Sequence, residues 1–216
     1  MKIVDYLVMP KEELFDMYGG QPPYYYRIGT VPILLVAHVD TVWQREPKKS
    51  EITDTGLIIS SNRSEGIGAD DRVGMYIIDK IFEEIDCSVL YTDEEEIGGN
   101  GARQFVDDYP DEQYNCIVEF DRRNNNDAVF YNCPNKNFID IVCSEYWQFQ
   151  RGSSSDISII APAFDCAAVN FSCGYYNAHK PKEHVVITDV DRIIIEGKKT
   201  IEKLIGLGYF PYYETE

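Results

Sequence analysis

Five stretches of this chain place an acid or a histidine where an apolar pattern ends, and side chains of that kind can hold metal ions and move protons. Only three histidines are present. The first, His38, directly follows the apolar run from Pro32 to Ala37 and stands in Ala37-His38-Val39-Asp40-Thr41. An imidazole with a carboxylate two residues on can serve as a ligand plus the group that fixes its tautomer; a histidine hydrogen-bonded in a loop is the plain alternative. The second stretch, Gly66-Ile67-Gly68-Ala69-Asp70-Asp71-Arg72, opens a helical pattern. Acids there complement a helix dipole, and two acids behind two glycines also suit a backbone that approaches an ion closely. The third is Asp93-Glu94-Glu95-Glu96-Ile97-Gly98-Gly99, directly after a strand-like run. Four consecutive carboxylates at a strand mouth repel one another unless a cation compensates. Val118-Glu119-Phe120-Asp121 ends another strand pattern with an acid, and the run from Asn170 through Gly174 to His179 ends the last one with a histidine.

A ligand count draws these stretches together. His38, Asp70, Glu96, Asp121 and His179 are five side chains. If Asp70 bridges two ions, one takes His38, Asp121 and Asp70, and the other takes Glu96, His179 and Asp70. Each ion then has three protein ligands and an open position for a shared water, the arrangement of catalytic zinc. Nitrogen and oxygen donors suit two Zn²⁺ ions, with cobalt or manganese as substitutes. Such a pair would acidify the water and polarise a carbonyl. Glu95 is left free to take the water's proton and pass it to the leaving amine.

His38-Val39-Asp40, Gly68-Ala69-Asp70-Asp71-Arg72, Glu95-Glu96-Ile97-Gly98, Asp121 and His179 resemble, in order, the five motifs of the co-catalytic di-zinc exopeptidase clan. That clan includes the bacterial leucyl aminopeptidase, tripeptidase (peptidase T), glutamate carboxypeptidase and tetrahedral aminopeptidase types. The match runs from about Pro32 to Val185. The resemblance implies His38, Asp70, Glu96, Asp121 and His179 as metal ligands, Glu95 as general base, Asp40 as the group that orients His38, and a cis peptide between Asp70 and Asp71. Within the acidic run, Glu95-Glu96 fits the family's Glu-Glu-apolar-Gly pattern and Glu94-Glu95 does not. Glu119 shares a strand face with Asp121 and competes with it; Asp121 is preferred because it falls at the strand's end, where family ligands sit. The intervals from His38 to Asp70 and from Asp121 to His179 are too short for the inserted domains of the tetrahedral and carboxypeptidase types. A bare catalytic domain over residues 1–216 is therefore expected, and with it a monomer, with a homo-oligomer left open. Tyr175 or Tyr176 is the candidate replacement for the oxyanion contact that a lid supplies. Gly152-Ser153-Ser154-Ser155-Asp156 resembles the family's Gly/Ser-Asp loop beside the substrate pocket, or is an ordinary turn. His184 reads as a surface or supporting residue, and Trp43 and Trp147 as packing residues.

The elements that must position these residues alternate. Strand patterns cover Pro32–Ala37, Gly56–Ser60, Ser88–Thr92, Asn115–Phe120, Ala128–Cys133, Trp147–Gln150 and Ala167–Ser172. Helical patterns run from Arg72 through Ile85, over Gly101–Asp108 and Asn137–Ser144, and from a Thr188 N-cap through Leu204. Tyr24-Tyr25-Tyr26 reads as an edge strand. Alternating strands and helices predict an α/β protein. In the terms of the resembled clan this is a three-layer α/β/α sandwich around one mostly parallel, mixed sheet, the zinc-exopeptidase (phosphorylase/hydrolase-like) fold, with ligands at the carboxyl ends of the strands.

Composition limits the partners. Twenty Lys and Arg against 37 Asp and Glu give a net charge of −17, which repels phosphate backbones and anionic lipid, so no nucleic acid and no membrane partner is expected. No apolar run is long enough to span a bilayer, and the start, with Asp5 and no long apolar core, does not read as a secretory leader. Six scattered cysteines inside apolar runs read as thiols of a reducing, cytoplasmic compartment. The expected function is a zinc exopeptidase acting on short peptides, amino-terminal by preference. An N-acyl amino-acid deacylase and a non-catalytic descendant are the alternatives.

Overall fold

The computed structural model describes residues 1–43, 49–62 and 64–213. Its helices are α1 (Ile3–Val8), α2 (Lys11–Tyr18), α3 (Ala69–Phe82), α4 (Asn100–Asp108), α5 (Lys136–Val142), α6 (Ile157–Ala163) and α7 (Ile187–Ile205). Its strands are β1 (Tyr24–Arg27), β2 (Val31–His38), β3 (Ser50–Ile52), β4 (Leu57–Ser60), β5 (Cys87–Thr92), β6 (Cys116–Arg122), β7 (Asp127–Val129), β8 (Gln148–Gln150), β9 (Ala168–Ser172), β10 (Tyr175–Tyr176) and β11 (His184–Val186).

The unbroken apolar run in β2 has the composition of a strand covered on both faces, and Ile33 through Val39 are all buried. β5 and β9 are likewise buried along their whole length. These strands and β6 form the parallel centre of a seven-stranded sheet of order β1-β5-β2-β6-β9-β7-β8. The tyrosine strand β1 closes one edge antiparallel to β5, as its sequence suggests. At the other edge β7 runs antiparallel to β9, and β8 lies parallel to β7. The alternation at the end of β5 shows the layering. Tyr91 donates to Asp79 Oδ1 of α3 at 2.6 Å on one face, and Thr92 donates to Asp156, just before α6, on the other. Helix α3 covers β2 and β6 with α1 and α7 beside it; α4 and α6 pack together over the opposite face. The three-layer mixed α/β architecture is thus the one expected. Among the described residues no helix is long and apolar enough to cross a membrane.

Several local expectations are corrected. A second, antiparallel sheet of order β10-β11-β4-β3 stands beside the main one. Its β4 is the strand expected over Gly56–Ser60; β3, β10 and β11, of two or three residues, offer too few positions for a period to emerge. The strand expected over Ala128–Cys133 stops at Val129, because Cys133 N–H donates to Phe130 O at 2.9 Å in a turn that carries Tyr131 at φ 49°. Thr188 is not an N-cap. β11 runs straight into α7, which starts at Ile187 with Val186 in the cap position and no side-chain cap. The short helices α1, α2 and α6 have no counterpart in the periodicity, and α6 carries Pro162.

Gly74 is required where α3 meets β6. A Cβ there would lie 1.9 Å from Phe120 O and 2.4 Å from Asp71 Oδ1, so α3, whose first turn carries Asp70, could not settle on the sheet. Gly74→Ala is expected to cost at least about 1–3 kcal/mol in urea denaturation, despite alanine's better helix propensity. Gly206→Ala is the control. Its Cβ would meet nothing closer than 3.7 Å, and the expected change is within about 1 kcal/mol.

Candidate active site

The carboxyl ends of the parallel strands bring the sequence-selected residues to one place. His38 is the last residue of β2, Asp121 lies near the end of β6, and Glu95 and Glu96 follow β5. Asp70 stands at the start of α3 with non-helical φ −83° and ψ 105°, and the Asp70–Asp71 peptide is cis, as the resemblance implied. His179 reaches in from the loop between β10 and β11 at φ 61°.

Two groups of three form, with Asp70 in both. His38 Nε2 is 3.3 Å from Asp70 Oδ1 and 3.4 Å from Asp121 Oδ1. His179 Nε2 is 3.1 Å from Asp70 Oδ2 and 2.8 Å from Glu96 Oε1. In each group, His38-Asp70-Asp121 and Asp70-Glu96-His179, one ligand atom from every residue lies within 4.8 Å of the others. Ligand atoms around a tetrahedral ion with bonds of about 2.0–2.2 Å stand roughly 3.3–3.6 Å apart, close to these separations. A further observation tests the fit. Glu96 Oε1 is buried and has no hydrogen-bond partner, although His179 Nε2 is so near. A buried carboxylate oxygen left without a hydrogen bond is one that a bound cation would satisfy. Imidazole nitrogen and carboxylate oxygen are the donor set of a divalent transition ion.

The electrostatics point the same way. Burial alone would depress the His38 imidazole, but the charge of Asp121 and hydrogen bonds to Asp121, Asp40 and Asp70 hold it well above its usual range. Burial would raise the Asp70 carboxyl, yet hydrogen bonds to His179 and His38 hold it below the usual range. Asp121 is pushed well up by burial and then by the Asp70 charge. The His179 imidazole rises to about 10 because the Asp70 and then the Glu96 carboxylates lie directly against it. Two imidazoles are thus held by carboxylates that cannot all stay charged without more positive charge.

A surrounding layer fixes the ligands. His38 Nδ1 lies 3.1 Å from the Asp40 backbone carbonyl and 3.3 Å from Asp40 Oδ1, leaving Nε2 for the site. The same Asp40 carboxylate accepts from the backbone N–H groups of Glu95 at 3.1 Å and Glu96 at 3.2 Å, so it sets β2 and the acidic loop in register. Glu94 turns away, accepting from Asn100 Nδ2 at 2.9 Å. Glu95 faces the cleft, its Oε2 4.0 Å from His38 Nε2. Burial first, with the charges of Asp156, Glu96 and Asp70, pushes the Glu95 carboxyl up to about 7 against the opposing pull of His38. Glu119 does not join either group. It is buried one step lower and accepts from the Ser155 hydroxyl.

Sequence reasoning missed the anchor of the Asp70 loop, Glu183. Its Oε2 accepts from Ile67 N–H at 2.8 Å, Gly68 N–H at 2.7 Å and Trp43 Nε1 at 3.1 Å. Gly68 sits at φ 68°, a conformation that glycine adopts without a Cβ penalty. Trp43 is therefore an anchor for Glu183 as well as a packing residue. Trp147 stacks on Phe171 at 4.0 Å and donates to Thr200, and His184 stacks on Tyr176 at the surface. Tyr175 is buried with its hydroxyl 3.4 Å from Asp121 Oδ1. Tyr176 donates instead to Asp189 at 2.6 Å, away from the ligands. The tyrosine that lines the cleft without having been singled out is Tyr131, whose hydroxyl accepts from Asn170 Nδ2 at 2.9 Å. The cleft, of about 370 Å³, is also bordered by Ser153 and Ser154 of the Gly152–Asp156 loop and by Arg122 and Arg123. Asp156 itself is buried, held by Thr92.

No family model and no curated protein sequence matches the chain. Solved structures do. Aminopeptidase PepT from Bacillus cereus is similar with a TM-score of 0.68 at 13% identity, over 94% of this chain and 90% of that one. A tripeptidase from Staphylococcus aureus gives a TM-score of 0.67 at 13% identity, over 85% of this chain and 84% of that one. A Thermotoga maritima structure described as an endoglucanase gives 0.61 at 11% identity, over 96% and 99%. At such identities the likeness is one of fold. The chain has the fold of these aminopeptidase and tripeptidase structures, the fold that its resemblance to the di-zinc exopeptidases implied.

Proposed function

We propose that this chain is a single-domain, two-metal exopeptidase that takes residues from the ends of short peptides, the amino end by preference. One observation carries the reading: two ligand triads share Asp70 on the floor of an open cleft, with Glu95 beside them and outside both. His38, Asp70 and Asp121 would hold one zinc ion, and Asp70, Glu96 and His179 the other, with cobalt or manganese as substitutes. Bound there, the ions would supply an acidified water and a Lewis acid for the scissile carbonyl. The rest belongs to the chain. Asp40 keeps the His38 ring turned so that Nε2 faces the site. Glu95, held near neutrality at about 7, is suited both to accept a proton from water and to deliver it to the leaving amine. The names of the aminopeptidase and tripeptidase neighbours support the same substrate class. A cytoplasmic setting fits the six free thiols.

Elemental analysis is expected to find two divalent ions per chain after zinc loading, and one in His179→Ala, which leaves the His38-Asp70-Asp121 group intact. An unloaded wild-type chain would count against the two-metal reading. For activity, a mixed peptide library is incubated with zinc-loaded protein and followed by mass spectrometry. Residues should disappear one at a time from the amino end. Glu95→Gln should slow this by about a hundredfold or more with both ions retained. An unchanged library would turn the assignment to acylated amino acids, and an unchanged set of those to a binding role.

A further inference from the structure

Two cationic side chains outside the triads line the cleft, Arg122 and Arg123, which directly follow Asp121. They stand out in a chain of net charge −17. Their backbones are fixed. Arg122 O accepts from Cys173 N–H at 2.7 Å, and Arg123 O accepts from the Ser172 hydroxyl at 2.8 Å. Their guanidinium groups are underused. Arg122 Nε is buried without a hydrogen bond, 3.8 Å from Asp127 Oδ2, and Nη2 makes one long bond of 3.4 Å to Arg151 O. Asp127 is already engaged by Asn124 Nδ2 at 2.8 Å. Arg123 is exposed and has no side-chain partner among the described residues.

We propose that Arg122 and Arg123 form the recognition site for a carboxylate on the peptide substrate. The proposal rests on the exopeptidase reading and names its substrate class. Four carboxylates face the cleft, Asp70, Glu95, Glu96 and Asp121, and two divalent cations would offset all four. Arg123 would then stand as surplus positive charge, with Arg122 shared with Asp127, so a loaded cleft would be locally cationic inside an anionic surface and would attract anions to its mouth. A guanidinium presents a planar fork that matches a carboxylate in a bidentate contact. An unmodified peptide carries that group in two places, an acidic side chain or its terminal carboxylate. Either would bind within the same cleft as the triads.

The test uses zinc-loaded protein and two matched peptide series. In one, Glu replaces Gln beside the scissile bond in amidated peptides; in the other, neutral tripeptides carry a free or an amidated carboxyl end. At least one carboxylate-bearing series should be favoured by about 10- to 100-fold in kcat/KM, mainly through KM, the worth of a charge-assisted contact. The series that shows it identifies the source. In Arg122→Gln and Arg123→Gln the acid-to-amide ratio should fall toward one, and Arg123→Lys should restore part of it. Calorimetry with the Glu95→Gln protein should show the same ratio in binding, without turnover. Cleavage with no preference in wild type, or a preference that survives both glutamine variants, overturns the proposal and leaves the exopeptidase reading in place. No cleavage of any peptide overturns both.

Discussion

Mutual repulsion among buried carboxylates is the constraint around which this molecule is arranged. The ends of β2, β5 and β6 and the start of α3 bring Asp70, Glu95, Glu96 and Asp121 together over a buried floor. Behind them lie Asp40, Asp71, Glu119, Asp156 and Glu183. Each of these supporting acids has its own means of tolerating burial. Asp40 and Glu183 accept backbone N–H groups. Asp71 accepts from Gly74 N–H at 3.1 Å and, like Glu119, has its carboxyl driven well up by burial, toward the neutral form. The four at the front have fewer such partners. The two imidazoles between them offer at most two positive charges, which is why the front layer reads as a cation site and the back layer as its support.

Holding such a cluster requires a scaffold that cannot relax by spreading, and the packing of α3 supplies it. Gly74 lets the helix lie directly on β6, while Arg72, buried just after Asp71, donates to Val39 O at 3.2 Å and to the carbonyls of Tyr6 and Met9. One side chain thereby ties the helix start to the end of β2 and to the turn between α1 and α2. Farther along α3, Asp79 accepts from the hydroxyls of Tyr6, Tyr18 and Tyr91. The two N-terminal helices are thus fastened to the helix that presents Asp70. Their contribution to the site is mechanical, and it is made through tyrosines that a search for ligands would pass over.

Much of this was legible in the sequence because the signals were local. The run in β2 is apolar at every position that the sheet covers, so the strand and the placement of His38 after it follow from adjacent residues. The Asp93–Gly99 loop and the Gly68–Arg72 segment carry their acids and glycines within a few positions. What was not legible depends on distant partners or on very short elements. Glu183 meets Ile67 across 116 residues, and nothing in Lys182-Glu183-His184 marks it as an anchor. Strands of two or three residues, such as β10 and β3, are formed by their neighbours in the second sheet rather than by their own pattern. Arg122 and Arg123 follow Asp121 in the sequence, but that both line the cleft depends on the fold. Tyr131 was hidden inside a segment whose composition favours a strand but whose backbone turns.

The fold leaves the chemistry open, since one similar structure is described as an endoglucanase and others as peptidases; side chains at the strand ends must decide it. In the proposed reading two features would act on different parts of a substrate. The shared-aspartate triads and Glu95 are suited to any amide carbonyl and carry little selectivity of their own. In the proposed role the arginines would act on charge several bonds away and would not assist hydrolysis directly. Separating the two roles would have a physical advantage: a recognition group that is always protonated would keep its charge while Glu95, near neutrality, exchanged a proton. A cleft built in this way can favour an anionic substrate without disturbing the protonation of its base, provided the acid cluster beneath is neutralised first. The order matters, because the same arginines beside four uncompensated carboxylates would only weaken a negative field.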